Sequence, residues 1–154
     1  LEQSAVRLVE YAQVGLSTFI TAADSLGVAG HVFSDGDAAG LKTATTVRNA
    51  LSGRSEGEHL TLLPKGDPVE PYLCRNGFMD VYELHANEQN RVRYITVDKD
   101  NDAYPEQLYK CLPNNGKPSA AHAVVAKMKI DGSASIPKEI ADCLKAVIAL
   151  AGDK

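Results

Sequence analysis

Short β-prone runs alternate with amphipathic helices over the first part of the chain, and this alternation limits the fold more than any other feature. The runs lie at residues 6–9, 31–33 and 60–63, each of a length typical of a strand. Helices are predicted between them at 16–26 and 38–51, where apolar residues recur every three or four positions. The alternation predicts an α/β fold with crossover connections and a parallel sheet.

The rest of the chain is predicted to be mainly helical. Further helices are expected near residues 68–76, 105–112, 119–128 and 136–151. We therefore expect two parts, an α/β core over 1–85 and a mainly helical extension over 86–154 that packs on the core.

Composition excludes several classes of protein. The chain has 154 residues and a formal net charge of −4, which argues against a basic nucleic-acid coat protein. An enzyme that meets phosphates through a bound metal stays possible. The longest apolar stretch, residues 146–151, is too short to span a bilayer, so we expect no membrane partner. Three widely spaced cysteines favour reduced thiols in a cytoplasmic protein, and the initial Leu1 suggests a piece of a longer chain.

The main chemical motif is Asp35-Gly36-Asp37, which follows the second predicted strand and precedes a predicted helix. Ligands of parallel α/β sheets lie beyond the carboxyl ends of the strands, so a site is expected here. The turn at Gly36 must bring the two carboxylates together, because an extended backbone points them to opposite sides. Two carboxylates suit Mg²⁺ or Mn²⁺ better than zinc. The alternative is a plain acidic turn in which Asp37 caps the helix and Gly40 allows close packing.

Five ordered segments give the chain a resemblance to a known family. They lie at residues 7–15, 30–40, 59–64, 76–82 and 116–118. An apolar strand followed by Asp-x-Asp-x-x-Gly resembles the second motif of the Toprim domain. The ordered set resembles the carboxyl-terminal part of the OLD (overcoming lysogenization defect) family of ATP-dependent nucleases. The resemblance implies a Toprim-like parallel sheet flanked by helices.

The same resemblance implies a metal-dependent endonuclease that nicks or cleaves DNA by two-metal phosphodiester hydrolysis. Asp35, Asp37 and Glu70 are the implied ligands of one or two Mg²⁺ or Mn²⁺ ions. Lys117 lies in a Gly-Lys-Pro segment like that of the family and is implied to offset charge on the scissile phosphate. Asp35, Asp37 and Lys117 are therefore the implied catalytic residues.

Candidate positions outside the Asp-Gly-Asp turn also have ordinary structural explanations. Glu70 also suits the first turn of a helix, where the dipole favours a carboxylate, and Lys117 suits a solvated position before a helix. Asp67 is predicted to cap the helix that follows Pro68. Lys65 is a weaker candidate for a phosphate contact.

Two parts of the family pattern have no counterpart in this sequence. A Toprim domain begins with a strand that bears a glutamate in a Val-Glu-Gly-like setting, and neither Glu2 nor Glu10 matches it. Either that motif precedes Leu1 or the site has one acidic group fewer. A glycine-rich phosphate loop is also missing, so the implied partners are DNA and an amino-terminal ABC-type ATPase outside this chain. The resemblance also leaves room for a homodimer.

Two other functions stay open at this point. One is part of another Toprim-type enzyme, such as a primase or a topoisomerase, although the chain has no tyrosine-bearing cleavage domain. The other is a non-catalytic, Mg²⁺-binding module like a response-regulator receiver. A receiver needs an acceptor aspartate after a later strand, and the third predicted run ends in Leu-Leu-Pro-Lys instead.

Overall fold

Two compact units make up the described part of the chain. The computed structural model describes residues 6–10, 15–64, 66–113 and 115–152. The first unit lies within Leu1–Gly66 and Lys138–Lys154, and the second lies within Asp67–Pro137. The sequence-based division into 1–85 and 86–154 stays a prediction.

The described residues of unit 1 form two strands and four helices. Its elements are α1 (Leu16–Ser25), β1 (Val32–Ser34), α2 (Ala38–Ala50), α3 (Glu56–His59), β2 (Leu60–Leu62) and α9 (Lys138–Gly152). β1 and β2 are parallel, with Val32 opposite Leu60 and Ser34 opposite Leu62. The helices predicted at 16–26 and 38–51 are confirmed as α1 and α2, and the parallel pairing of the second and third runs is confirmed as well.

The core of unit 1 lies where α2 packs against the two strands. Its buried apolar residues are Ala44, Val47, Leu51 and Leu60, and the partly buried Leu16, Ile20, Val32 and Leu62 pack against them. Burying one Val or Leu side chain contributes roughly 1.5–3 kcal/mol. A few such residues therefore hold a sheet whose strands are only three residues long.

Two histidines join the strands at their amino-terminal end. His31 and His59 each lie one residue before a strand. The Nδ1–H group of His31 donates to the carbonyl of Glu58, and that of His59 donates to the carbonyl of Gly30, both at 2.8 Å. In the neutral ring, Nε2 of His31 then accepts from the hydroxyl of Thr61, also at 2.8 Å. Each histidine thus bonds to the chain segment that leads into the other strand. We call this reciprocal pair of bonds the histidine clasp.

All of the regular structure described in unit 2 is helical. Its elements are α4 (Val69–Leu73), a kinked turn (Cys74–Phe78), α5 (Met79–His85), α6 (Glu88–Tyr94), α7 (Tyr104–Lys110), α8 (Gly116–Asp131) and a short 3₁₀ turn (Ser133–Ser135). Its most deeply buried side chains include Phe78, Tyr82, Leu108, Cys111 and Val124.

Arg75 ties three segments of unit 2 together. Its guanidinium pairs with the carboxylates of Asp67 and Glu106 and donates to the carbonyl of Asp102. The prediction that Asp67 caps the following helix is wrong, because Pro68 occupies the N-cap of α4 and no side chain caps that helix. Asp67 pairs with Arg75 instead.

The predicted Toprim-like parallel sheet flanked by helices is wrong. Helices form 65% of the described chain and strands form 4%, and the sheet described has two strands. Residues 6–10 form no strand, and Leu8 and Val9 are 90% and 60% exposed. A short apolar run becomes a strand only where a second strand pairs with it and an apolar layer packs against it. Within the described residues, only β1 and β2 satisfy this condition. In the same ranges, no helix combines the length and the apolar character needed to cross a bilayer.

Acid is expected to destabilise unit 1 through His31. Burial, assisted by the neighbouring His59 and opposed by the hydrogen bond to the Glu58 carbonyl, lowers the pKa of His31 below its usual 6.5. The unfolded chain therefore takes up this proton at a higher pH than the folded chain. The stabilisation is complete above pH 6.5 and is lost as the pH falls through the lower pKa of the folded state. Urea titrations at about pH 7.5 and about pH 5 measure how much free energy of unfolding is lost between the two pH values. That loss should be smaller in His31→Gln than in wild type.

The matched control is His122→Gln, because His122 is an exposed residue of α8. This variant should keep the pH dependence of the wild type. Equal pH dependence in wild type and His31→Gln would contradict the assignment of the acid sensitivity to His31.

Candidate metal centre

The carboxyl end of β1 leads directly into the acidic turn. Ser34, the last residue of the strand, is buried, and its hydroxyl donates to the carbonyl of Gly40 at 3.3 Å. Leu63 donates its backbone N–H to the carbonyl of Ser34 at 3.0 Å, and Gly66 donates to the carbonyl of Gly36 at 2.9 Å. The segment after β2 therefore holds the turn after β1 in place.

Two glycines are required by the closeness of the backbone around this turn. A Cβ atom on Gly36 would lie 1.8 Å from the carbonyl oxygen of Pro64, and one on Gly40 would lie 1.8 Å from the carbonyl oxygen of Asp35. No side chain fits at either position without moving backbone. The predicted role of Gly40 in close packing is confirmed, and Gly36 has an equally tight role.

Asp37 caps helix α2. Its Oδ1 accepts from the backbone N–H of Gly40 at 2.8 Å, as expected of an N-cap carboxylate. The structural alternative raised by the sequence is therefore present in the fold. This bond uses Oδ1, so Oδ2 can still bind a second partner.

Asp35 and Asp37 both line one cavity. That the turn at Gly36 brings their two carboxylates together stays a prediction. The cavity has a volume of about 230 Å³. Its lining consists of Phe33, Ser34, Asp35, Asp37, Ala39, Gly40 and Thr43. Every polar side chain in this lining is a carboxylate or a hydroxyl, which is the ligand chemistry preferred by Mg²⁺ and Mn²⁺. The hydroxyl-bearing residues of the lining are Ser34 and Thr43.

The donor set fits a divalent cation that keeps part of its water shell. Mg²⁺ usually binds through one or two carboxylates and retains several water molecules. Among the described residues, no group of three or more His, Cys, Asp or Glu side chains is placed to hold an ion. A cation in this cavity would therefore be bound by Asp35 and Asp37 and completed by water.

Glu70 and Lys117 lie together in unit 2. Nζ of Lys117 is 3.2 Å from Oε1 of Glu70 and donates to the hydroxyl of Tyr109 at 3.0 Å. It also lies 4.3 Å from the centroid of the Tyr109 ring. The structure thus pairs the two predicted site residues of this unit with each other. Their predicted roles as metal ligand and catalytic cation stay predictions.

Tyr109 is the member of this cluster that the sequence reasoning missed. It lies in α7, eight positions before Lys117 in α8, and no motif of the sequence marks it. The nearest signal was its place in the last turn of a helix followed by an Asn-Asn-Gly turn. Lys65, the other basic candidate, lies outside the described residues.

Alanine at either tight glycine is expected to destabilise unit 1. Forcing an extra carbon into a packed region usually costs about 1–3 kcal/mol, and here the opposing atoms belong to backbone. Gly36→Ala and Gly40→Ala should each lower the free energy of unfolding in urea by at least that amount. Gly57→Ala is the matched control, since its Cβ would meet no heavy atom within 4 Å. Losses no larger than that of the control would contradict the close approach.

Capping and charge can be separated at Asp37. Asp37→Ala removes the acceptor for Gly40 and should lower the free energy of unfolding by about 1 kcal/mol. Asp37→Asn keeps an oxygen acceptor, so it should retain most of that stability. Thermal denaturation of the two variants measures the difference. Equal losses would show that the cap contributes little.

Comparison with known proteins finds a protein similar to this chain but does not indicate an activity. No family model matches the chain, and no solved structure matches it. The chain is similar to the uncharacterized protein YbjD of Escherichia coli strain K12, with 32% identity over 152 residues. The match covers 95% of the chain and 25% of YbjD, so the chain spans about a quarter of the length of this curated relative. The similarity extends over almost the whole chain and carries no substrate or partner with it.

Proposed function

We propose that the chain is the metal-dependent nuclease part of a longer protein similar to the OLD-family nucleases, and that it hydrolyses phosphodiester bonds of DNA. The observation that carries the proposal is the cavity at the end of β1, which Asp35 and Asp37 line together with two hydroxyl-bearing residues. The proposal depends on this carboxylate pair and on the family-like segments. It does not depend on the larger sheet that the family resemblance implies, which is not found among the described residues.

The charge of the cavity requires a cation before it can meet DNA. Two carboxylates repel a phosphate, and the chain as a whole carries a formal charge of −4. A bound divalent ion reverses the local sign and becomes the largest charge in the site. Mg²⁺ or Mn²⁺ is therefore the cofactor that we propose, and it would activate water and stabilise the leaving oxygen.

In this mechanism, the residues of the chain contribute by positioning the metal ion. Asp35 and Asp37 would hold the ion, and the backbone contacts of Gly36 and Gly40 fix the positions from which both carboxylates project. The N-cap bond restrains Asp37 further. Preorganised ligands cost little rearrangement when the ion and the phosphate arrive.

The family resemblance implies two further charged residues, Lys117 and Glu70, which both belong to unit 2. Lys117 would offset negative charge that develops on the phosphate during attack. Its pairing with Glu70 keeps the ammonium near a carboxylate in the absence of substrate. The role of Glu70 as a metal ligand, which the family resemblance implies, stays a prediction.

The first test is binding of Mn²⁺ by calorimetric titration. Wild type should bind Mn²⁺, and Asp35→Asn and Asp37→Asn should each weaken binding at least tenfold because one charged ligand is lost. The Asn variants are preferred because Asp37→Asn retains a capping oxygen. Asp98→Asn is the matched control, since Asp98 is exposed and outside unit 1, and it should bind like wild type.

The same variants then test hydrolysis on supercoiled plasmid DNA with Mn²⁺ or Mg²⁺. Wild type and Asp98→Asn should nick the plasmid, chelation should stop the reaction, and Asp35→Asn, Asp37→Asn and Lys117→Ala should lose most of it. Absence of Mn²⁺ binding, or binding unaffected by both Asn variants, would overturn the metal centre. Binding without any nicking, in this chain and in the longer protein, would overturn the nuclease assignment.

A further inference from the structure

The ammonium of Lys117 is held from two sides in unit 2. Glu70, whose side chain is only 15% exposed, places Oε1 3.2 Å from Nζ. Tyr109 accepts from Nζ at 3.0 Å, and its ring centroid lies 4.3 Å from the same atom. The side chain of Lys117 itself is 49% exposed, and burial alone would leave it room to move. Its ammonium is nevertheless held by a carboxylate, a hydroxyl and an aromatic ring.

The ammonium also keeps a donor for a third partner. A lysine has three N–H donors, and the contacts with Glu70 and Tyr109 use two of them. The third can donate to an anionic oxygen. Because two contacts already orient the group, little side-chain entropy remains to be lost when that oxygen arrives.

We propose that Tyr109 and Glu70 are positioning residues that hold Lys117 as a fixed cation for a phosphate oxygen of the substrate. The substrate in this inference rests on the proposed function, whereas the positioning of the ammonium does not. Tyr109 acts through Lys117 in two ways, by accepting a hydrogen bond and by presenting the face of its ring to the charge. No role is required of Tyr109 in contact with the substrate.

The direct test measures the reactivity of Lys117 itself. An amine-reactive label is applied at one fixed pH over a series of times, and the extent of modification at Lys117 is read by mass spectrometry. Tyr109→Phe keeps the ring and removes the acceptor that holds the amine. The amine is then held less firmly, so labelling of Lys117 should be severalfold faster than in wild type. Glu70→Gln should act in the same direction, because it removes the ion pair with the amine.

Tyr94→Phe is the matched control. Tyr94 also has a cation beside its ring, with the guanidinium carbon of Arg93 5.0 Å from the centroid, and it belongs to another helix. This variant should leave the labelling profile of Lys117 unchanged. Circular dichroism confirms folding of each variant before labelling. An unchanged Lys117 profile in folded Tyr109→Phe would overturn the positioning role.

The nicking assay separates this inference from the proposed function. If both hold, Tyr109→Phe should lower the nicking rate severalfold with unchanged Mn²⁺ affinity, and the loss should be smaller than that of Lys117→Ala. If wild type does not nick DNA, the proposed function fails, and the labelling profile still decides whether Tyr109 positions the lysine. A shifted Lys117 profile with full nicking activity in Tyr109→Phe would overturn the substrate role assigned to the held cation.

Discussion

The close backbone approach at the acidic turn is the constraint on which the rest of unit 1 depends. Gly36 lies against the carbonyl of Pro64, and Gly40 lies against the carbonyl of Asp35. These contacts let α2 begin immediately after β1 and let the segment after β2 close over the turn. A sheet of two short strands has little cohesion of its own, so its geometry is set by these contacts, by the histidine clasp at the other end and by the packing of α2.

Asp37 shows how one side chain serves structure and chemistry together. An N-cap carboxylate stabilises its helix through one oxygen, and the same bond fixes the direction of the other. The structural and functional interpretations of the Asp-Gly-Asp turn therefore do not exclude each other. A ligand whose position is already secured by the fold suits a cation site, because binding then requires little rearrangement.

The charged groups of the two units differ in how they are held. In unit 1, Asp35 and Asp37 are positioned by backbone contacts beside a cavity whose polar side chains are carboxylates and hydroxyls. In unit 2, Lys117 is positioned by side chains, Glu70 and Tyr109. Backbone placement follows directly from glycine positions in the sequence, whereas side-chain placement depends on packing between helices that are distant along the chain.

The sequence by itself determined α1, α2, the parallel pairing of β1 with β2 and the acidic turn, because apolar spacing and glycine placement act over a few residues. The size of the sheet was decided only by the tertiary structure, since a run such as 6–9 becomes a strand only if a partner pairs with it. The partner of Asp67 and the meeting of Glu70, Lys117 and Tyr109 were decided there as well. Local sequence patterns do not predict such contacts, because the contacts form between side chains only when the helices pack against one another.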